Sequence, residues 1–473
     1  MRERCSASWR LLAALVVVLG LAVAAGCGGG GGETTAAEPP ATSEAVPPAT
    51  TAPPATETSA PPETGGGTAA GMIQQPGMCG DPATQGQEAT GEPITLGAIA
   101  TNVPGIDFTW GPKMTQAYFD CVNDNGGIHG RPVELLIEEE QIDPQQIAAF
   151  ATKLVEQDQV LGLAGSMSAI ECSVNNDYYA AQGYFVVAIG VNHACFKYPN
   201  FSAVNTGPYY SSLGAAATAV RMGATGAIVV VSPNQPGNDE VNSGVVEFAE
   251  AQGMKGVGLL EDVPIADPAG LAQRLVQEAG DGGAVVLDFP GPTVLPVLQA
   301  IEQQGLIDKV VWASSTPPND PSIAKELGSA WNGKFIVNAE FNRLDSGQPD
   351  QELMNAIQAK YRSDVPISAF AQMGFLAGKV AVEALLRIEG DYTKESVNAA
   401  FKALTNVTSD LWCKPWYFDS TVGPNVGNNT DLTVTPQDQV WVQAEECFEI
   451  PDLEGNPLDQ IRAKEVELGL NVG

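Results

Sequence analysis

Between Ile94 and Phe341, short runs rich in β-branched residues alternate with longer stretches of helical period. No other feature limits the fold as much. The expected strands are ITLGAIA (94–100), VELLIEE (133–139), VLGLAG (160–165), YFVVAIG (184–190), AIVVVS (227–232), VGLLEDV (257–263), AVVLDF (284–289), VVWASS (310–315) and FIVNAEF (335–341). Patterns such as QQIAAFATKLVEQ and GLAQRLVQEAG lie between them. Strands spaced by helices form βαβ units, so the sheets are expected to be parallel and covered on both faces. Asp143-Pro144, Asp267-Pro268 and Asp320-Pro321 each place an N-capping carboxylate before a proline at the first helical position. Gln146, three residues beyond Asp143, completes a capping-box pattern. The stretch NDNGGIHGRPVELLIEEEQIDP (123–144) then reads as a joint of helix end, turn, strand and helix start. His129 is a turn residue in this reading. Neighbouring glutamates on a strand point to opposite faces, which makes poor metal geometry.

The N-terminus sets the compartment. Arg2, Arg4 and Arg10 precede an apolar run from Leu11 to Ala25, and small residues lead to Cys27. Residues 1–26 read as a signal peptide, and Ala24-Ala25-Gly26-Cys27 resembles a bacterial lipobox, so Cys27 is expected to carry a lipid. Residues 27–77, dominated by Pro, Thr, Ala, Glu and Gly, bury too little apolar surface to order themselves and read as a linker. Beyond Cys5 and Cys27 six cysteines remain, an even number in an exported chain, which favours disulfides over metal. Six allow 15 pairings. Nearness in sequence suggests Cys79–Cys121, Cys172–Cys195 and Cys413–Cys447. A formal net charge of −33 disfavours nucleic acid and anionic lipid surfaces.

The joint also carries a family resemblance. Gly126-Gly127-Ile128-His129-Gly130-Arg131, then Gln141-Ile142-Asp143-Pro144, then Lys153-Leu154 with Asp158-Gln159-Val160, follow in an order that resembles the branched-chain amino acid type periplasmic binding proteins. The resemblance implies an α/β chain of two doubly wound, Rossmann-like lobes with parallel sheets, joined by a three-crossover hinge. Crossovers near Asn205-Thr206, Phe341-Asn342 and Thr408-Ser409 give lobe one as 78–205 plus 342–408 and lobe two as 206–341 plus 409–473. It also implies a monomeric solute receptor without cofactor that serves an ABC permease and its ATPase. A bridge between the loops holding Cys172 and Cys195 is familiar in that family.

In open α/β sheets, ligands sit beyond the carboxyl ends of strands. That rule selects Asn102 and, further on, Trp110; Ser166, Met167 and Ser168; Gly190 and Asn192; then Asn238, Asp288 and Ser315 in lobe two. Tyr209 joins Trp110 as a candidate apolar wall. By resemblance, Ser168 and Asn192 stand where the family holds a ligand carboxylate, and Ser315 where it holds an acidic partner for the ammonium. Asp288 is the substitute partner. The expected ligand is therefore an amino acid or a related amide or carboxylate, with Leu, Ile and Val disfavoured.

Other constellations are weaker. Gly165-x-Ser-x-Ala169 lacks the last glycine and the following histidine of a nucleophile elbow. Cys172, His193 and Cys195 suit a metal less well than a disulfide, and Met354, Met373 and Phe375 read as core. No metal and no enzymatic activity are expected. A sensing lipoprotein of the same fold is the alternative, with an envelope hydrolase behind it. Mass spectrometry of envelope fractions should find Cys27 as a diacylated N-terminus; a mature chain beginning elsewhere would refute the anchor.

Overall fold

The structure, a computed structural model, describes residues 72–416 and 430–451 together with 462, 463 and 466. The expected signal peptide, Cys27 and the linker as far as residue 71 lie outside these residues.

Five strands build the first sheet's parallel body. They are β1 (Ile94–Val103), β3 (Val133–Glu140), β4 (Gly162–Ser166), β5 (Val186–Ala188) and β6 (Phe201–Ala203), and β2 (Ile106–Asp107) folds back antiparallel on the end of β1. β3 and β4 flank β1, and β5 and β6 follow β4, which is a doubly wound order. Helices α1 (Trp110–Asn123), α2 (Pro144–Thr152) and α3 (Glu171–Gln182) connect these strands. After β6 the chain passes through Asn205 and Thr206 into α4 (Gly207–Arg221) and a second sheet.

That sheet contains β7 (Ile228–Pro233), β8 (Gly256–Glu261), β9 (Ala284–Leu287), β10 (Val311–Ser314) and β11 (Phe335–Ala339). The order β8-β7-β9-β10-β11 repeats that of the first sheet. Its helices are α5 (Asn238–Ala251), α6 (Pro268–Ala279), α7 (Gly291–Gln303) and α8 (Pro321–Glu326). β7 and β9 are buried along their full length, as continuous Val/Ile/Leu runs in a covered parallel sheet should be. The chain then returns to lobe one, adding α9 (Pro349–Tyr361), α10 (Ala369–Leu386) and α11 (Lys394–Ala403). α10 has the length and apolarity of a membrane span, yet it is wholly buried and packs on α1 as a core helix. A last passage adds β12 (Thr430–Gln437), antiparallel to β11, and β13 (Val440–Glu449), antiparallel to β12.

Local signals account for much of this. Asp143, Asp267 and Asp320 cap α2, α6 and α8 through their side chains. Gln146 departs from the expected box, because its amide oxygen accepts from the Gln141 backbone rather than from the cap residue. His129 sits in a turn at φ 49, where its Nδ1 lies 2.8 Å from the Tyr392 hydroxyl. The hairpin of β12 and β13 was not expected. Its two turn residues, Asp438 and Gln439, both have positive φ, as the turn requires, but neither is the glycine that usually advertises one.

The three disulfides join Cys79 to Cys121, Cys172 to Cys195 and Cys413 to Cys447, with Cα separations of 6.2, 5.0 and 5.8 Å. The expected linker gives way before residue 77. The Ile73 and Gln74 amides donate to Glu383 at 3.0 and 3.1 Å, and the Gly77 amide donates to Asp350 at 2.9 Å. Fixed backbone donors, and not apolar burial alone, order this strap on α9 and α10. Asp350 also holds Lys379 at 2.7 Å, with both side chains buried, and accepts from the Ser409 hydroxyl at 2.6 Å. Removing one partner of a buried ion pair strands the other, at a cost of roughly 3–5 kcal/mol. Lys379→Met should therefore lose about that much stability in urea unfolding; a loss below about 1 kcal/mol would show that the pair contributes no more than a surface one.

Candidate functional site

The carboxyl ends of both sheets face one another across a cavity of about 60 Å³. At roughly 10–15 Å³ per water, that is room for a handful of waters and suits a small ligand. Lobe one supplies an apolar wall: Ile106 and Phe108 beyond β1, Val191 beyond β5, and Phe370 and Met373 from the first turns of α10. Phe108 meets Phe370 edge to face at 5.6 Å. Lobe two supplies the polar side, with Asn238 at the start of α5, Asp288 beyond β9, Ser315 beyond β10 and Glu340 beyond β11. Phe289 and several prolines complete that wall.

Away from the crossovers, contacts bridge the two sides of the cleft. The Asn192 amide donates to the Pro236 carbonyl at 3.0 Å, Thr293 donates to the Gly105 carbonyl at 2.9 Å, and Lys197 pairs with Glu240 at 2.8 Å. The lobes are closed on one another. Gly237, at φ 90, lets the loop approach Asn192; a Cβ there would stand 3.1 Å from that amide.

Among the described residues, no Lys, Arg or His lines the cavity. Asp288 accepts from the Ser315 hydroxyl at 2.6 Å, and burial pushes its carboxyl up to about 6. Glu340 accepts from the Gly207 amide at 2.8 Å and is likewise raised by burial. Behind it Asp431, held by Thr206 and Asn338, is raised far above the usual carboxylate range by burial and by Glu340.

The expected site residues divide into two groups. Gly190, Asn238, Asp288 and Ser315 line the cavity. The expected carboxylate pocket is instead spent on the protein. The Ser168 hydroxyl donates to Glu140 at 2.9 Å and accepts from the Ile170 and Glu171 amides. Ser166 accepts from the Ile99 amide at 3.0 Å and donates to Glu171 at 3.3 Å. The Asn192 side chain bonds Ala169, Pro236 and Ala194 of the backbone. Met167 is buried, and Asn102 bonds Glu139 on the surface. Trp110 stands behind Phe370 at 6.4 Å, and Tyr209 is stacked on His193 at 4.4 Å. Neither ring lines the cavity. Met373, read as core, does line it, whereas Met354 and Phe375 are core. Glu340 was missed although its strand was read; its place at the carboxyl end of β11, beside the second crossover, was the available signal.

Residues 93–434 match the periplasmic binding protein family, and the chain belongs to it. The fold is that of the type I members that serve ABC transporters. Comparison with curated proteins finds no match. Among solved structures, the chain is similar to a fatty acid ABC transporter substrate-binding protein from Thermomonospora curvata, at 19% identity and TM-score 0.66, covering 77% of this chain and 94% of that one. It is similar to a branched-chain amino acid ABC transporter protein from Thermus thermophilus with bound valine, at 16% identity and TM-score 0.65, covering 76% and 97%. A solute-binding protein from Rhodopseudomonas palustris HaA2 in complex with p-hydroxybenzoic acid aligns at 18% identity and TM-score 0.61, covering 76% and 98%.

The buried acid of lobe one provides a pH test. Burial pushes the Glu171 carboxyl from an ordinary 4.5 up to about 7, against hydroxyl donation from Tyr179 and Ser166. Between those values the folded chain keeps a proton that the unfolded chain has lost, so stability falls as pH rises across the window. Glu171→Gln should remove that fall while retaining an acceptor for Tyr179, and urea midpoints should be flatter from pH 4.5 to 7 than in the parent. Equal slopes in parent and variant would contradict the raised value.

Proposed function

We propose that this chain is an extracytoplasmic solute receptor, lipid-anchored through Cys27 to the outer face of the cytoplasmic membrane. It captures one small ligand between its lobes and delivers it as a monomer to an ABC import permease and its ATPase. The observation that carries the reading is the interlobe cavity, which buried polar residues of lobe two and apolar residues of lobe one line together. A ligand that touches both lobes binds the closed form better than the open one, and only that difference can drive closure. The crossovers at Asn205-Thr206, Phe341-Asn342 and Thr408-Ser409 are the hinge.

Lobe two holds the ligand's donor or positive end at Asp288 and Glu340, and lobe one packs its body against Phe108, Phe370 and Met373. The family's role in transport supports a receptor over an envelope hydrolase. Ligand at 100 times its dissociation constant should stabilise the fold by about 2.7 kcal/mol. A melting screen of amino acids, amides, short carboxylates and amines should therefore find a stabilising compound. Thr293→Val, which removes an interlobe contact outside the ligand's polar end, should weaken that compound several-fold by making closure less favourable. No stabilising compound anywhere in the panel, and scattering profiles unchanged by every member of it, would refute the reading.

A further inference from the structure

The geometry points to a ligand that is a small organic cation: an amine with an apolar body and no carboxylate. This rests on the receptor reading above and narrows it. Two buried acids, Asp288 and Glu340, face the cavity from the ends of β9 and β11, on either side of β10, and among the described residues no basic side chain lines it. A buried charge demands a partner, and a ligand ammonium is the partner this cavity leaves room for. A ligand carboxylate would meet two acids and, among the described lining residues, no basic side chain. The hydroxyls of Ser166 and Ser168 already donate to Glu171 and Glu140, so the protein's own carboxylates occupy the donors that a ligand carboxylate would need. Asn192 spends its amide on two carbonyls.

The opposite wall suits the rest of such a molecule. Phe108 and Phe370, which meet edge to face, offer ring surface to an alkyl or aryl body. A net charge of −33 over the chain raises the local concentration of cations near the cleft.

The sign of the pH dependence separates a cation from an anion. The groups facing Asp288 are the Ser232 and Ser315 hydroxyls and the Glu340 carboxyl, from β7, the end of β10 and the end of β11. Burial raises Asp288 to about 6 and raises Glu340 as well, so an amine should bind progressively more weakly as pH falls through and below 6 and the acids take up protons. A carboxylate ligand would weaken in the other direction, as Asp288 ionises.

Calorimetry on the full chain with benzylamine, phenylalanine and benzoate, which share one ring, tests the proposal. Isobutylamine and phenethylamine extend the series in body size. At least one amine should bind, its carboxylate counterpart should not, and phenylalanine should be at least tenfold weaker than benzylamine or phenethylamine. Asp288→Asn and Glu340→Gln should each weaken the amine tenfold or more. The parent's pH profile supplies the same information if either variant folds poorly. Benzoate or phenylalanine binding tighter than every amine overturns the cation while leaving the receptor intact. Binding by carboxylates or amino acids with no amine bound does the same. Silence across the whole melting panel would instead remove the receptor reading beneath it.

Discussion

A parallel sheet has polar backbone along its edges and apolar side chains on both faces, so it is stable only when helices cover both faces. The rest of this molecule follows from that constraint. Two sheets of the same doubly wound order, each wrapped in this way, leave their strand ends as the places where backbone and polar side chains meet open space. Turning the two carboxyl edges toward each other produces the cavity. Because α9 to α11 return to the first lobe and β12 and β13 to the second, the chain passes between lobes repeatedly. One hydrophobic cluster runs from lobe one into the α4 and α5 face of the second sheet, and a separate cluster covers that sheet's other face.

The lobes handle buried carboxylates differently. In lobe one, Glu140 and Glu171 are surrounded by hydroxyls of Ser166, Ser168, Tyr179 and Thr101, which act as donors within the core. In lobe two, Asp288 and Glu340 reach the cavity, and Asp431 is turned fully inward behind them. The first arrangement makes a rigid polar knot under an apolar wall. The second leaves a concentration of negative charge, or of protons held in its place, at the lobe that contributes most of the polar lining.

The fold was legible in sequence wherever one local rule decided the outcome. Val-rich runs marked the strands, and Asp-Pro pairs marked three helix starts that the structure caps as expected. Elements set by tertiary contact were not legible. The short strand β6 is three residues long, and the hairpin of β12 and β13 turns on Asp438 and Gln439 without glycine. The site was legible as a set of loops, and Gly190, Asn238, Asp288 and Ser315 could be named from it. Which hydroxyls were free was hidden, because Ser168 is claimed by Glu140 from 28 residues away. The apolar wall was hidden for a related reason: Phe370 and Met373 look like core on any helical pattern until a second lobe stands opposite them.

The strap that begins at Met72 bonds Glu383, Lys379 and Asp350, all on lobe one, and Cys79 fastens it covalently to Cys121 on α1. Met72 itself accepts through its sulfur from Thr408, beside the last crossover. The described N-terminal residues therefore attach to lobe one and beside its last crossover. A force applied at Met72 would be carried by a disulfide and a buried ion pair of lobe one before it reached the second sheet.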